Sequence, residues 1–193
     1  LSLHPVLLVF FVGILAPVCE EVVFRGAIFG GMKKEGNIFK AVVASGLLFG
    51  LLHMNINQAS YAFVIGILLG FLVEATGSIL SSILFHLLIN SSNAIMMIIS
   101  DSVVSDEMMA NADEMVTTAT LLNMIGVYAV LAVIGTTIAI CLLVWMSKNE
   151  GRQSILVKAW EDRKVKEGKV ISIPFIIGVV ISILFMLLEF IPW

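Results

Sequence analysis

The sequence predicts an all-α, polytopic integral membrane protein with about six transmembrane helices and an active site in the core of the helix bundle. Of its 193 residues, 60% are hydrophobic and only 13% are charged, and the mean hydropathy is +1.08. Soluble domains carry roughly 45–50% apolar and about 25% charged residues, so a soluble domain of this size could not bury so much apolar surface. The apolar residues also fall in long runs that lack the alternation of barrel strands. This composition excludes a water-soluble globule, a disordered chain and a nucleic-acid-binding protein.

Six apolar runs supply the predicted spans, because crossing a bilayer takes about 20 apolar residues in a helix. The runs extend from Leu3 to Met32, Ile38 to His53, Ala59 to Val73, Ser78 to Ile99, Thr118 to Met146 and Ile171 to Ile191. Residues 1–193 are therefore predicted to form a single membrane-embedded domain. Cys19 and Cys141 both lie in apolar runs and indicate no disulfide framework.

The loop charges predict the orientation of the spans. Ten of the eleven Lys and Arg residues fall in 33–40 and 148–169, whereas the loop from Asp101 to Val116 has only acidic charges. By the positive-inside rule the two basic loops are cytosolic and the acidic loop lies outside. The basic segment 147–170 could form a surface amphipathic helix, but a solvated loop is the favoured interpretation. Glu74, near the inner end of the third span, is expected to snorkel to the interface.

The first span carries three charged residues, Glu20, Glu21 and Arg25. Each charge near the bilayer centre costs roughly 2.5–3.5 kcal/mol on insertion scales. Glu21 and Arg25 are one helical turn apart and are predicted to pair. Glu20 then points about 100 degrees away around the helix, and we expect it to face a polar cavity.

Two later spans add further polar side chains. His53 ends the second span, and His86 and Asn90 lie one turn apart on one face of the fourth. Glu20 and His53 each lie roughly 20 Å along their helices from the nearest inner lysine, so the polar groups can converge at one depth. Several ionisable groups inside a membrane indicate a functional site.

Such a set supports two schemes for hydrolysing an amide bond. A carboxylate can take a proton from water while an imidazole and an amide donate hydrogen bonds to the developing oxyanion. Alternatively, Glu20, His53 and His86 could hold a zinc ion with water in the fourth position. The HExxH pattern of zinc proteases and the GxSxG pattern of serine hydrolases do not occur in the sequence.

Three short motifs carry a family resemblance. Glu20-Glu21-Val22-Val23-Phe24-Arg25 matches EExxxR, Phe49-Gly50-Leu51-Leu52-His53 matches FxxxH, and His86-Leu87-Leu88-Ile89-Asn90 matches HxxxN. In these residues the chain resembles the CPBP family of CAAX proteases and bacteriocin-processing enzymes, which includes Rce1-type prenyl-protein endopeptidases and bacterial Abi proteins. The resemblance covers about residues 15–95, which would form the catalytic core.

The resemblance implies an intramembrane endopeptidase of glutamate or metallopeptidase type. Glu20 would be the base that activates water, with His53 assisting. Glu21 and Arg25 would complete and brace the first motif.

The third motif has two implied roles. His86 and Asn90 would stabilise the oxyanion, or His86 would join Glu20 and His53 as ligands of a divalent metal such as zinc. A metal-dependent and a metal-free mechanism are equally open at this point. Asn57, one turn after His53, is expected to line the cavity.

The implied partners are the lipid bilayer and a peptide or protein substrate that enters from the membrane, in a bacterial cell membrane. Members of the family usually have further spans before EExxxR, whereas this sequence has the motif at residue 20. The alternative is a non-enzymatic bacteriocin-immunity or transporter-like protein whose polar cluster binds a proton or an ion.

Overall fold

The computed structural model describes residues 4–103, 118–165, 168 and 170–188, and this part of the chain is helical without a β-strand. The helices are α1 (Pro5–Lys33), α2 (Ile38–Leu52), α3 (Ile56–Thr76), α4 (Ile79–Val103), α5 (Thr118–Asn149), α6 (Gln153–Glu161) and α7 (Ile173–Leu188). The prediction of an all-α membrane protein is confirmed.

Four of these helices, α1, α3, α4 and α5, are long and apolar enough to cross a membrane. The other two predicted spans correspond to α2 and α7, which have 15 and 16 described residues. At 1.5 Å per residue α2 is about 22 Å long, which is shorter than a hydrocarbon core of about 30 Å. The second predicted span is therefore a helix that is shorter than the thickness of the hydrocarbon core.

Helix α1 changes its winding along its length. Its segments Val9–Leu15 and Val22–Phe29 are π-helical, and Ala16–Glu21 between them is α-helical. Pro17 lies in the first turn of that α-helical segment, where its missing N–H is best tolerated. Stretches of π-helix are frequent at functional sites, and here they flank the segment that carries the two glutamates.

Glycines bring α2 and α3 into close contact. A Cβ added to Gly66 would lie 2.9 Å from Cα of Gly46, and one added to Gly50 would lie 2.7 Å from the carbonyl oxygen of Ala59. Contacts this short leave no room for side chains, as in other membrane helix pairs joined through small residues. The pairing of α2 with α3 is therefore fixed by backbone contact.

Asparagine caps define where these two helices begin. Asn37 Oδ1 accepts a hydrogen bond from Lys40 N at 2.9 Å, and Asn55 Oδ1 accepts one from Gln58 N at 2.9 Å. Between the helices Met54 adopts a left-handed conformation with φ of 51°. This tight turn holds the end of α2 against the start of α3.

The described part of the basic segment is packed against the bundle. Ala159 of α6 is fully buried, and Asp162 Oδ2 accepts a hydrogen bond from Ile38 N at 2.9 Å. Asn37 Nδ2 donates to the carbonyl oxygens of Asp162 and Val165 at 3.0 and 3.2 Å. The favoured interpretation as a solvated loop is wrong here, because one face of the helix is apolar and covers the start of α2. Residues 166, 167 and 169 of the predicted cytosolic loop lie outside the described residues.

The expectation that Glu74 snorkels is also wrong, because this residue is fully buried. Lys33 Nζ donates to Glu74 Oε1, and Arg152 Nη2 lies 3.9 Å from Glu74 Oε2. Arg152 Nε also donates to the main-chain oxygen of Glu74 at 2.8 Å, close to the left-handed Gly77 that ends α3. Lys33, Glu74 and Arg152 are called the Glu74 cluster below.

Helix α5 lies at the lipid-facing edge of the protein. The most apolar window of Leu122–Asn149 has none of its residues buried, as expected of a helix that is surrounded by lipid. The predicted acidic loop lies mostly in residues 104–117, and the end of the last predicted span lies in residues 189–193, both outside the described residues.

Candidate active site

Glu21 and Arg25 form the buried ion pair that their spacing predicts. Arg25 Nη1 donates to Glu21 Oε1 at 2.8 Å, and the two side chains are 1% and 0% exposed. Arg25 Nη2 also donates to the carbonyl oxygen of Gly66 at 2.9 Å. The guanidinium therefore neutralises Glu21 and ties α1 to α3.

The same carboxylate oxygen orients His86 on α4. His86 Nδ1 lies 2.9 Å from Glu21 Oε1, and because a carboxylate only accepts, Nδ1 carries the hydrogen and donates it. His86 Nε2 then faces Glu20, with 3.8 Å between Nε2 and Oε2. We call Glu20, Glu21, Arg25 and His86 the histidine cluster.

Phe49 is the aromatic centre of the site. Its ring lies 5.4 Å from the His53 ring and 5.5 Å from the His86 ring, both edge to face. The Arg25 Cζ atom lies 4.5 Å from the centroid of the same ring. Phe49 is the first residue of the FxxxH motif, one turn before His53, but this spacing does not predict that its ring contacts both histidines.

His53 caps the C-terminal end of α2. Its Nδ1 lies 3.0 Å from the carbonyl oxygen of Phe49, and a carbonyl can only accept, so Nδ1 donates and Nε2 is left as the acceptor nitrogen. Among the described side chains Glu20 forms an ion pair with His86 and none with His53. The two histidines therefore approach each other across Phe49 rather than through Glu20.

A cavity of about 210 Å³ opens beside these rings. Its polar lining residues are His53, Gln58, Tyr61, His86, Asn90 and Asn93. Glu20 is not part of this lining, and its side chain is 23% exposed. His86 is the lining residue that lies beside Glu20, with 3.8 Å between its Nε2 and Glu20 Oε2.

Asn90 lies on the cavity wall one turn beyond His86. Its Nδ2 donates to the carbonyl oxygen of Val12 at 3.3 Å, which leaves the second hydrogen of the amide for another acceptor. Asn57 is exposed and does not line the cavity, so the expectation that it lines the cavity is wrong. Gln58 and Tyr61 line it instead, because the helix that begins at Ile56 turns those two positions inward.

The side chains of Glu20, His53 and His86 are of types that bind zinc. Each imidazole donates a hydrogen bond from Nδ1, which leaves Nε2 free to bind a metal ion. The described residues contain no group of three His, Cys, Asp or Glu side chains placed to share one ion. The three predicted metal ligands thus have suitable atoms but do not form a ligand set as the side chains stand.

Comparison with known proteins agrees with the three motifs. Residues 2–92, a little under half of the chain, match the family model described as "Type II CAAX prenyl endopeptidase Rce1-like". The chain is 32% identical over 83 residues to the protein named "Putative membrane peptidase YdiL" of Bacillus subtilis (strain 168). That alignment covers 43% of this chain and 34% of the relative, so the chain spans about a third of the relative's length.

No solved structure matches the chain. The family match nevertheless contains all three motifs, and the resemblance that they predict is confirmed. Over residues 2–92, this chain is similar to the Rce1-like family of type II CAAX prenyl endopeptidases.

Proposed function

We propose that this protein is an intramembrane endopeptidase in which Glu20 activates a water molecule against a peptide bond. The observation that carries the proposal is the 3.8 Å separation between Glu20 Oε2 and His86 Nε2. Oε2 is buried and has no hydrogen-bond partner among the described residues. The separation is too long for a direct hydrogen bond and suits two groups that are bridged by one water.

The reaction follows from these atoms. Glu20 takes a proton from the water, and the water oxygen attacks the carbonyl carbon of the substrate. The free amide hydrogen of Asn90 donates to the oxyanion that forms, and His86, whose Nδ1 hydrogen is donated to Glu21, donates there from Nε2 only when it is protonated to the imidazolium. The bond between carbon and nitrogen then breaks, and the leaving nitrogen receives the proton from Glu20. His53 Nε2, on the cavity side, assists by accepting a hydrogen bond from the water.

Glu21 and Arg25 act through His86. Because Glu21 accepts from Nδ1, the ring presents Nε2 to Glu20 and the reacting atoms. Arg25 compensates the charge of Glu21 and fixes its position, so the imidazole is aligned before substrate binds. We assign both as positioning residues, since each acts on the reacting atoms through His86.

The experiment uses the full chain in detergent micelles and three peptides. One ends in an S-farnesylated cysteine followed by two aliphatic residues and a variable residue; the second is its unfarnesylated twin, and the third is an apolar signal-peptide sequence. Products are identified by mass spectrometry. We expect cleavage by the unmodified chain and a loss of roughly 10²–10⁴-fold in Glu20→Gln, the usual range for a general base.

Glu35→Gln is the matched control, because Glu35 is exposed in the turn after α1. This variant should cleave the peptides at the normal rate. Normal turnover by Glu20→Gln would refute the assignment of the base. No cleavage of any peptide by the unmodified chain would favour the alternative, a protein that binds a proton or an ion with the same cluster.

The metal alternative is tested separately. Since the three candidate ligands do not form a set, we expect turnover to persist after treatment with a zinc chelator, and elemental analysis to find less than one metal ion per chain. Activity that is lost on chelation and restored by zinc would show instead that Glu20, His53 and His86 close around an ion.

We also propose that the substrate enters from the lipid phase and that 33–40 and 148–169 face the cytosol of a bacterial cell. The charge distribution supports this orientation. Whether prenylated peptides, bacteriocin leaders or signal peptides are preferred is decided by the three-peptide comparison.

A further inference from the structure

Three polar side chains on the cavity wall belong to none of the three motifs. Gln58 and Tyr61 lie three residues apart in the first two turns of α3, and therefore on one face of that helix. Asn93 lies one turn beyond Asn90 on α4. Together they form a polar wall next to the two histidines.

The side chains of this wall have no hydrogen-bond partner in the part of the chain that the structure describes. The bond recorded at Gln58 uses its main-chain N–H, so its amide remains available. Unpaired polar groups are costly at membrane depth unless water or a ligand satisfies them. Three of them facing one cavity indicate that its normal content is polar.

We propose that Gln58, Tyr61 and Asn93 bind the main chain of the substrate in an extended form beside the bond to be cut. This inference rests on the proposed function and deepens it. The amides of Gln58 and Asn93 each offer donors and acceptors, and the Tyr61 hydroxyl does both. An extended peptide needs both donors and acceptors, because its N–H and C=O groups are not paired within a helix and must find partners inside a membrane.

The size of the cavity supports an extended segment. Its volume of about 210 Å³ is below the roughly 300–1,000 Å³ of pockets for drug-sized ligands. A helical segment, with a diameter of about 10–12 Å including side chains, would not fit. Ala62, Ile65 and Ile89 line the same cavity and offer an apolar surface to one side chain. The substrate class is therefore an unwound segment with an apolar residue next to the cleaved bond.

The test separates binding from cleavage. In a Glu20→Gln background, which lacks the proposed base, the affinity for the fluorescently labelled unfarnesylated peptide is measured by polarisation. We expect Gln58→Ala and Asn93→Ala each to weaken binding about fivefold to tenfold, the usual loss for one hydrogen bond. Tyr61→Phe, which keeps the ring and removes only the hydroxyl, should weaken it about threefold to fivefold.

Asn57→Ala is the matched control, because Asn57 lies next to Gln58 in the first turn of α3 but outside the cavity. It should bind normally. In the otherwise unmodified enzyme the wall variants should raise KM while kcat stays within about threefold, and Asn57→Ala should change neither.

The outcomes distinguish the two proposals. Weaker peptide binding in the wall variants, with no cleavage by the unmodified chain, would support peptide binding by the polar wall. It would refute the proposed peptidase function. Normal binding by a Gln58→Ala/Asn93→Ala double variant, with cleavage intact in the unmodified chain, would overturn the wall alone. Equal losses in Asn57→Ala would also overturn it, and so would a failure of the Glu20→Gln chain to bind the peptide.

Discussion

The protein buries carboxylates in two places, and the two places differ in what surrounds them. In the histidine cluster and in the Glu74 cluster alike, a fully buried glutamate pairs with a cation from α1. The histidine cluster adds an imidazole and borders a cavity. The Glu74 cluster has only cations as partners and lies where helices end. Buried charge alone therefore does not distinguish the two clusters. The imidazole and the neighbouring cavity do, and the proposed catalytic role rests on them.

Arg25→Ala should give the largest effect, because it should lower both the stability of the fold and the rate of peptide cleavage. It leaves the fully buried Glu21 without its cationic partner and removes the hydrogen bond to the carbonyl oxygen of Gly66. Breaking one partner of a buried pair costs about 3–5 kcal/mol, so we expect a lower melting temperature in detergent together with the loss of peptide cleavage.

Arg25→Lys is the informative companion, because it keeps the charge and loses the two-point geometry. It should fall between the unmodified chain and Arg25→Ala in both measurements. An unchanged melting temperature for Arg25→Ala would contradict the view that this pair holds α1 in place.

Glu74→Gln should give a smaller effect on stability and almost none on turnover. Its partner Lys33 has a side chain that is 40% exposed, so the cation left behind can reach water or lipid headgroups. We expect a loss of about 1–2 kcal/mol with kcat within threefold of normal. If Glu74→Gln abolished cleavage while the chain stayed folded, the distinction between the two clusters would fail.

Asp162→Ala should give the smallest effect. It removes the acceptor for Ile38 N at the start of α2, and losing such a cap costs about 1 kcal/mol. Asp162→Asn keeps an acceptor oxygen and should recover most of the loss. Thermal unfolding gives the comparison, and equal melting temperatures for the unmodified chain and Asp162→Ala would show that the α6 segment adds nothing to the stability of α2.

Much of the fold and part of the candidate site could be predicted because they depend on local spacing. Apolar runs give the helices, since burial in lipid requires a minimum length of apolar helix. The Glu21–Arg25 pair follows from one turn of helix, and the structure places the two side chains 2.8 Å apart. No such spacing in the sequence predicts the π-helical stretches of α1.

The remaining features depend on which helices are neighbours, and spacing along one chain does not contain that information. Phe49 could not be assigned as the contact of two histidines without the packing of α2 against α4. The lining role of Gln58 over Asn57 depends on the rotation of α3, which the contact between Gly46 and Gly66 sets. Glu74 was misjudged because its partner Arg152 comes from a segment 78 residues away.

The exposure of α5 has a consequence for how such sequences diverge. A helix whose apolar window is not buried at all needs only to be hydrophobic, because lipid chains adapt to any side-chain shape. Substitutions among leucine, isoleucine, valine and phenylalanine should therefore accumulate there almost freely over evolutionary time. The buried motif residues Glu21, Arg25, Phe49 and His86 have no such freedom. They lie in the part of the chain that is similar to a known family.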